Sequence, residues 1–184
     1  FSFFNQANLT PLQQAYTSTL EQNMIDHWPV GETYALDLLD EFVRKRLNHY
    51  KQARDFPAQV GTSQLSAYLN IGILSIRQCI QALFRQQHGD FVIQSESQQV
   101  WLDELLWREF YQHILFDFPQ VSKHLPFKSS TQNIPWRDDL IALEQWQQGK
   151  TGIPIVDAGM RQLLATGWMH NRVRMICAMK KKKN

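Results

Sequence analysis

A chain of 184 residues with 43% hydrophobic content and 12% aromatics is long enough to bury a core of its own. No apolar run is long enough to span a membrane as a helix, and no internal repeat is visible. The formal charge of +2 rests on the four lysines at 180–183; without them 15 basic residues face 17 acidic ones. Bulk charge therefore gives no argument for nucleic-acid binding, and any such site is a local patch.

In chain order, residues 1–30 are polar, rich in Gln, Asn and Thr, and read as an interdomain linker with one helical piece around 12–24. A turn at Trp28-Pro29 leads into a helix predicted over 33–50, with Leu36, Leu39, Val43 and Leu47 at helical spacing. Arg44, Lys45 and Arg46 are expected on its solvent side. The DFP triplet at 55–57 breaks the pattern, and GTSQLS at 61–66 opens a helix carrying Leu65, Tyr68 and Leu69. Gly72 and Ser75 punctuate its end, and a further helix is predicted over 76–87. After a polar loop at 88–97, Ser95 or Ser97 caps the helix that contains WLDELLWREFY at 101–111. Residues 126–135 read as loop; Asp138 or Asp139 caps a helix bearing Leu140, Leu143 and Trp146, which Gly149 stops. Asp157 is expected to start the next helix and Gly167 to end it, with a last helix over 168–179. No segment alternates with period two, so the class is all-α.

The helix at 101–111 is unusual. Trp101, Glu104, Trp107, Arg108 and Tyr111 fall on one continuous arc of roughly 120°, while Leu102, Leu105, Leu106 and Phe110 form a core stripe opposite. Burying a carboxylate and a guanidinium costs several kcal/mol unless each is paired, on the order expected for isolated charges. The arc is therefore either a Glu104–Arg108 pair at i,i+4 dressed with aromatics or a ligand-lining face. The last helix divides similarly: Trp168, His170, Asn171, Arg172, Arg174 and Met175 lie on one arc, and Met169, Val173, Ile176 and Cys177 on the other. There Arg172 and Arg174 could hold phosphates and Asn171 a ring edge, or the arc could be a solvated basic face.

The hydroxyls and free N–H groups of 62–66 suit phosphate, or form a simple Ser/Thr cap. Trp136, in a loop beside Arg137, is a packing anchor or a cation–π partner. Cys79 and Cys177 sit in apolar helical contexts without metal-ligand spacing, as reduced core thiols of an intracellular, cytoplasmic protein; no metal site is expected.

Together, DFP at 55–57, GTSQLSAYL at 61–69, WLDELLWREFY at 101–111, GKTGIPIVDAGMRQL at 149–163 and TGWMHNRVRM at 166–175 resemble the photolyase/cryptochrome family, in its order and at its spacing. The likeness covers 28–178 and is strongest to the bacterial branch that acts on cyclobutane pyrimidine dimers. It implies an all-helical FAD-binding domain, here its N-terminal part over 31–179, after a linker remnant at 1–30 and before a lysine-rich, non-family tail at 180–184. By resemblance, Tyr50, Thr62, Ser63, Gln64, Leu65 and Ser66 contact the FAD phosphates. Trp101, Glu104, Arg108, Asn171 and Arg174 are the other implied cofactor neighbours.

Glu104 and Trp107 would meet the dimer, with Met175 lining the same pocket. Arg54, Arg108, Tyr111, Asn171 and Arg172 complete the implied DNA contacts. Trp136 matches the outer member of an electron-transfer chain of tryptophans. The implied activity is light-driven dimer splitting by electron transfer from reduced FAD, in a monomer that binds dimer-containing DNA and no membrane. A second antenna chromophore, folate or deazaflavin, would belong to a separate N-terminal domain. Because the family's domain continues beyond 178, half a cofactor site is expected in this chain. The rival readings are a cryptochrome-type blue-light receptor and a non-catalytic helical fragment. The His170-Asn171-Arg172 sequence argues against the (6-4) branch of the family, which usually has a second histidine at the Asn171 position.

Overall fold

The computed structural model describes residues 27–85, 90–134 and 139–183, the last four without their side chains. The expected helical piece at 12–24 and Trp136 lie outside the described residues. Among the described residues every regular element is helical. The chain divides into two compact units: one is 31–138, and the other is 139–184 with 1–30. The boundary falls inside the stretch that the sequence treats as one domain.

In the first unit, α1 spans Glu32–Lys45. Ala35, Leu39, Phe42 and Val43 face inward, whereas Leu36, an expected core position, is 37% exposed because it lies one step around the helix from Ala35. The helix predicted to run to residue 50 stops at Arg46, and a 3₁₀ turn, Leu47–His49, leads into the short α2, Tyr50–Ala53. The carbonyl of Asn48 accepts the Ser97 hydroxyl at 3.0 Å, so the turn's backbone is bonded to another helix. A loop then leads to α3, Ser66–Asn70, and to α4, Ile76–Arg85.

The long α5, Glu96–Asp117, starts at Ser95, whose hydroxyl accepts the Gln98 N–H. Two 3₁₀ turns, Pro119–Lys123 and Ser129–Thr131, follow it. The core of this unit includes Phe42, Leu47, Leu65, Leu74, Leu83 and Trp101, with Phe42 centred 5.2 Å from Trp101 and 5.7 Å from Tyr50. Each such side chain contributes about 1.5–3 kcal/mol through burial. Cys79 is fully buried, and burial pushes its thiol up to about 11, which makes it a core thiol rather than a nucleophile.

α5 departs from the expected pattern. Its buried positions, Ser97, Gln98, Trp101 and Leu105, all lie in its first half. Trp101 is therefore inward, while Leu106 and Phe110, expected as core, are 55% and 48% exposed. The covering elements α2 and the Leu47–His49 turn meet only the helix's N-terminal half, so the apolar stripe outruns its cover.

In the second unit, α6 spans Leu140–Gln147, α7 Pro154–Thr166 and α8 Asn171–Lys183. Asp139 caps α6 by accepting the Ala142 N–H at 2.9 Å, and Gly149 turns the chain with φ 62°. Val156, Met160, Met169, Val173 and Cys177 form the core, as the sequence pattern of the last helix expects. Helices α7 and α8 approach closely at Gly159, where an added Cβ would lie 2.3 Å from Val173 Cγ1. The Trp146 indole donates to the Cys177 carbonyl at 3.0 Å, and the Trp28 indole to the Thr166 carbonyl at 2.7 Å.

α7 begins three residues before Asp157, at Pro154, where proline's missing N–H costs nothing. Asp157 instead reaches back to the preceding loop. Its carboxylate accepts the Thr151 hydroxyl and N–H at 2.7 Å each and the Gly152 N–H at 3.0 Å. The Thr151 hydroxyl, then the backbone N–H groups and Arg161, outweigh burial and hold this carboxyl below the usual aspartate value. A lowered native pKa gives stability that is complete above the unfolded-state value and lost as pH falls toward the native one. Acid titration of thermal stability should therefore show a steeper loss below about pH 4, the ordinary aspartate range, in the wild type than in Asp157→Asn. Parallel curves would remove this role.

Candidate functional site

The segment 61–66 is built from two constraints. Gly61 packs so closely on α2 that a Cβ would meet Ala53 Cβ at 2.5 Å and its carbonyl carbon and oxygen at 2.7 Å, so only glycine fits. Gln64 adopts φ 57°, a left-handed conformation uncommon for a residue with a side chain. The expected helix start at 61–66 is thus mostly loop, with the helix itself limited to Ser66–Asn70. Within 62–65, among the described residues, the one backbone–backbone bond is accepted by the Leu65 carbonyl.

Consequently the N–H groups of Thr62, Ser63, Gln64 and Leu65, and the hydroxyls of Thr62, Ser63 and Ser66, have no partner among the described residues. Thr62, Ser63 and Gln64 are half-buried, Leu65 is buried and Ser66 exposed. Several donors without acceptors in a half-buried loop suit a phosphate-bearing group.

On α5, Glu104 does not pair with Arg108. Its Oε1 lies 2.7 Å from Arg54 Nη2, whose side chain is 17% exposed against 39% for Glu104. The i,i+4 pairing expected from sequence fails because the Arg108 guanidinium instead donates to the Leu69 carbonyl at 2.9 Å, at the end of α3. Arg54 also lies 5.4 Å from the Tyr50 ring centroid and 3.8 Å from Asp55 Oδ1. Burial lowers its pKa, but Tyr50, Glu104 and Asp55 outweigh that and raise it above the ordinary arginine value. Arg54, expected at DNA phosphates, is thus Glu104's ion-pair partner in this structure.

One and two turns further along α5, Trp107 and Tyr111 are 54% and 60% exposed. Their rings stand 6.2 Å apart and tilted by 32°, with Phe110 edge-on to Trp107 at 5.5 Å. An exposed tryptophan one helical turn from a fixed carboxylate offers a stacking wall beside a hydrogen-bonding group. Tyr50 and Trp101, expected beside the cofactor, are 8% and 3% exposed and packed around Phe42.

In the second unit, Asn171, Arg174 and Met175 are exposed on α8, and Arg172 is half-buried. His170, placed by sequence on the same polar arc, is 2% exposed and precedes the helix; its Nδ1 accepts the Arg172 N–H at 3.2 Å. Trp168 also lies before the helix, with its ring 6.1 Å from that of His170.

The sequence missed Arg46. Read as part of a solvent-facing charge run, it is half-buried: Nη1 donates to the Thr62 carbonyl at 3.1 Å, and the guanidinium lies 5.6 Å from the Phe42 ring centroid. Its Nε is buried without a hydrogen-bond partner among the described residues. Leaving such a donor unsatisfied costs about 1–3 kcal/mol. No spacing rule distinguishes Arg46 from Arg44, which pairs with Asp40 in solvent.

The helical architecture and the donor loop are those of a helical domain suited to a phosphate-bearing ligand. Residues 101–183 match the family model described as the FAD binding domain of DNA photolyase. The chain is 49% identical over 152 residues to the deoxyribodipyrimidine photo-lyase of Escherichia coli, covering 83% of this chain and 32% of that protein. It is 52% identical over 141 residues to the Vibrio cholerae enzyme of the same name, covering 76% and 29%. Among solved structures it resembles a class III photolyase from Agrobacterium tumefaciens, with TM-score 0.80 and 39% identity over 90% of this chain and 34% of that one. It also resembles a Synechocystis cryptochrome, with TM-score 0.69 and 28% identity over 87% and 33%. The chain belongs to the photolyase/cryptochrome family and spans about a third of the length of the curated relatives it matches.

Proposed function

We propose that this chain contributes the FAD-binding and lesion-facing residues of a photolyase that repairs cyclobutane pyrimidine dimers in DNA with light. The observation that carries the reading is the α5 arrangement: Glu104 held by Arg54 at 2.7 Å, one turn from the exposed Trp107. FAD, once bound in its reduced form, would supply the light-driven electron chemistry that splits the dimer. The unpartnered donors of 62–66 would hold its phosphates. The Glu104 carboxylate hydrogen-bonds to the dimer's bases, or shares a proton with them as charge arrives there. Trp107 stacks against the extruded lesion, whose unstacking is comparatively cheap because a dimer already pairs poorly.

Arg54 positions Glu104, and Tyr111 borders the same stacking surface. Arg108, Asn171, Arg172, Arg174 and Met175 take their cofactor and DNA roles from the resemblance alone, as does Trp136 its electron-transfer role. The reading includes a monomer in the cytoplasm. Among the described residues no helix is long and apolar enough to cross a membrane.

Repair of dimer-containing oligonucleotides under blue light, by flavin-loaded protein, tests the reading. Glu104→Ala should lower the repair quantum yield several-fold at unchanged flavin occupancy. Repair that is indifferent to Glu104, in protein that holds flavin, would sink it. The likeness to a cryptochrome supports a second reading, blue-light reception without repair. Flavin photoreduction with no dimer splitting in the wild type would favour it.

A further inference from the structure

The geometry points to Arg46 as a positioning residue for the 62–66 loop, setting the conformation in which that loop presents its donors to a dinucleotide's diphosphate. This inference rests on the proposed FAD reading and names a residue that the reading does not use. The loop leaves α2 at Gly61, pressed on Ala53, and re-enters regular structure at Leu65, which is 1% exposed and whose carbonyl caps α3 through the Leu69 N–H. Between these fixed ends, among the described residues, the chain holds the loop by one further hydrogen bond, from Arg46 Nη1 to the Thr62 carbonyl. That bond leaves the Thr62 N–H and hydroxyl uncommitted.

The guanidinium is itself fixed. It lies over the Phe42 ring, which packs between Tyr50 and Trp101, and it follows directly on the C-terminus of α1, where a cation is favoured. An arginine serving only as a helix-end cation would have no need to be half-buried across the chain from the loop. Fixed by the core on one side and bonded to Thr62 on the other, Arg46 couples loop shape to the unit's interior. Its positive charge beside the donors also favours an anionic occupant.

The test compares wild type, Arg46→Met and Arg46→Lys by equilibrium titration with FAD and, separately, with riboflavin, which lacks the diphosphate. Amide NMR order parameters of residues 62–65 are measured in parallel. Arg46→Met should raise the Kd for FAD about tenfold or more, leave riboflavin binding within twofold, and drop the loop order parameters from rigid values toward about 0.6 or below. Arg46→Lys, which keeps a charged donor within reach, should recover much of both. Unchanged FAD affinity in Arg46→Met overturns the inference, and so does an equal loss of FAD and riboflavin, which marks a general structural role. If Arg46→Met does not fold, wild-type loop order and FAD affinity in Arg46→Lys uphold the inference, and a disordered loop with unchanged affinity overturns it. A wild type that binds no FAD, with loop order still dependent on Arg46, sinks the cofactor reading and leaves the hold on the loop standing.

Discussion

Trp101→Ala is expected to destabilise the unit formed by 31–138 by about 3–5 kcal/mol, the usual cost of emptying a buried aromatic site. The indole is 3% exposed, packed 5.2 Å from Phe42, and sits where α5 meets α1. Phe42 also supports Arg46 and Tyr50, so the cavity removes support from the donor loop and from the Arg54 stacking surface together. Domains are stable by only about 5–15 kcal/mol, so most of the margin would be lost. Urea unfolding followed by far-UV circular dichroism, which does not depend on the removed fluorophore, measures it. A midpoint equal to wild type would show that Trp101 is dispensable to the core.

The second large effect belongs to Gly61→Ala. A single methyl cannot be seated, because the Ala53 carbonyl carbon and oxygen lie 2.7 Å from its position and backbone does not swing aside as a side chain does. Overpacking of this kind costs about 1–3 kcal/mol. The strain falls on the junction that aims the N–H groups of 62–65. We expect FAD affinity to fall about a hundredfold, equivalent to roughly 2.8 kcal/mol at tenfold per 1.4 kcal/mol. The melting temperature should fall by roughly 4–8 °C for each kcal/mol of that strain. Titration with FAD, alongside a thermal melt, reads both. Wild-type affinity in Gly61→Ala would show that the loop's path does not matter to the cofactor.

Features encoded within a few residues of themselves were readable from the sequence. Ser95 and Asp139 cap their helices as their positions before apolar periodic runs imply, and Gly149 and Gly167 end theirs in left-handed conformations. The apolar side of α8 is inward at Val173 and Cys177 because its period is uninterrupted, and Met169, just before the helix, joins the same core. What the sequence hid depends on distant partners. Glu104 has a candidate partner four residues away, yet Arg54, fifty residues earlier in the chain, takes it because the Leu69 carbonyl claims Arg108. Arg46 turns inward from a charge run for the same kind of reason. Periodicity reports which face is apolar, but not how far along a helix the cover extends, so the exposure of Leu106 and Phe110 could not be read. Asp157 reads as a helix start because a cap and a first-turn acid that bonds a loop look alike in sequence.

One hydroxyl ties the two helices that carry the ion pair. Ser97 donates to the Asn48 carbonyl and accepts the Lys51 N–H at 3.2 Å, while Lys51 Nζ pairs with Glu96 alongside. This latch joins the stretch leading to Arg54 with the start of α5, about two helical turns before Glu104. A slip of one turn between the two would carry the guanidinium about 5.4 Å along the helix and out of reach of the carboxylate. The aim of the acid group is therefore a matter of gearing: it is set by how two helices mesh at a serine remote from the chemistry. An error at position 97 would be felt as a misdirected carboxylate, with every atom of the acid itself intact.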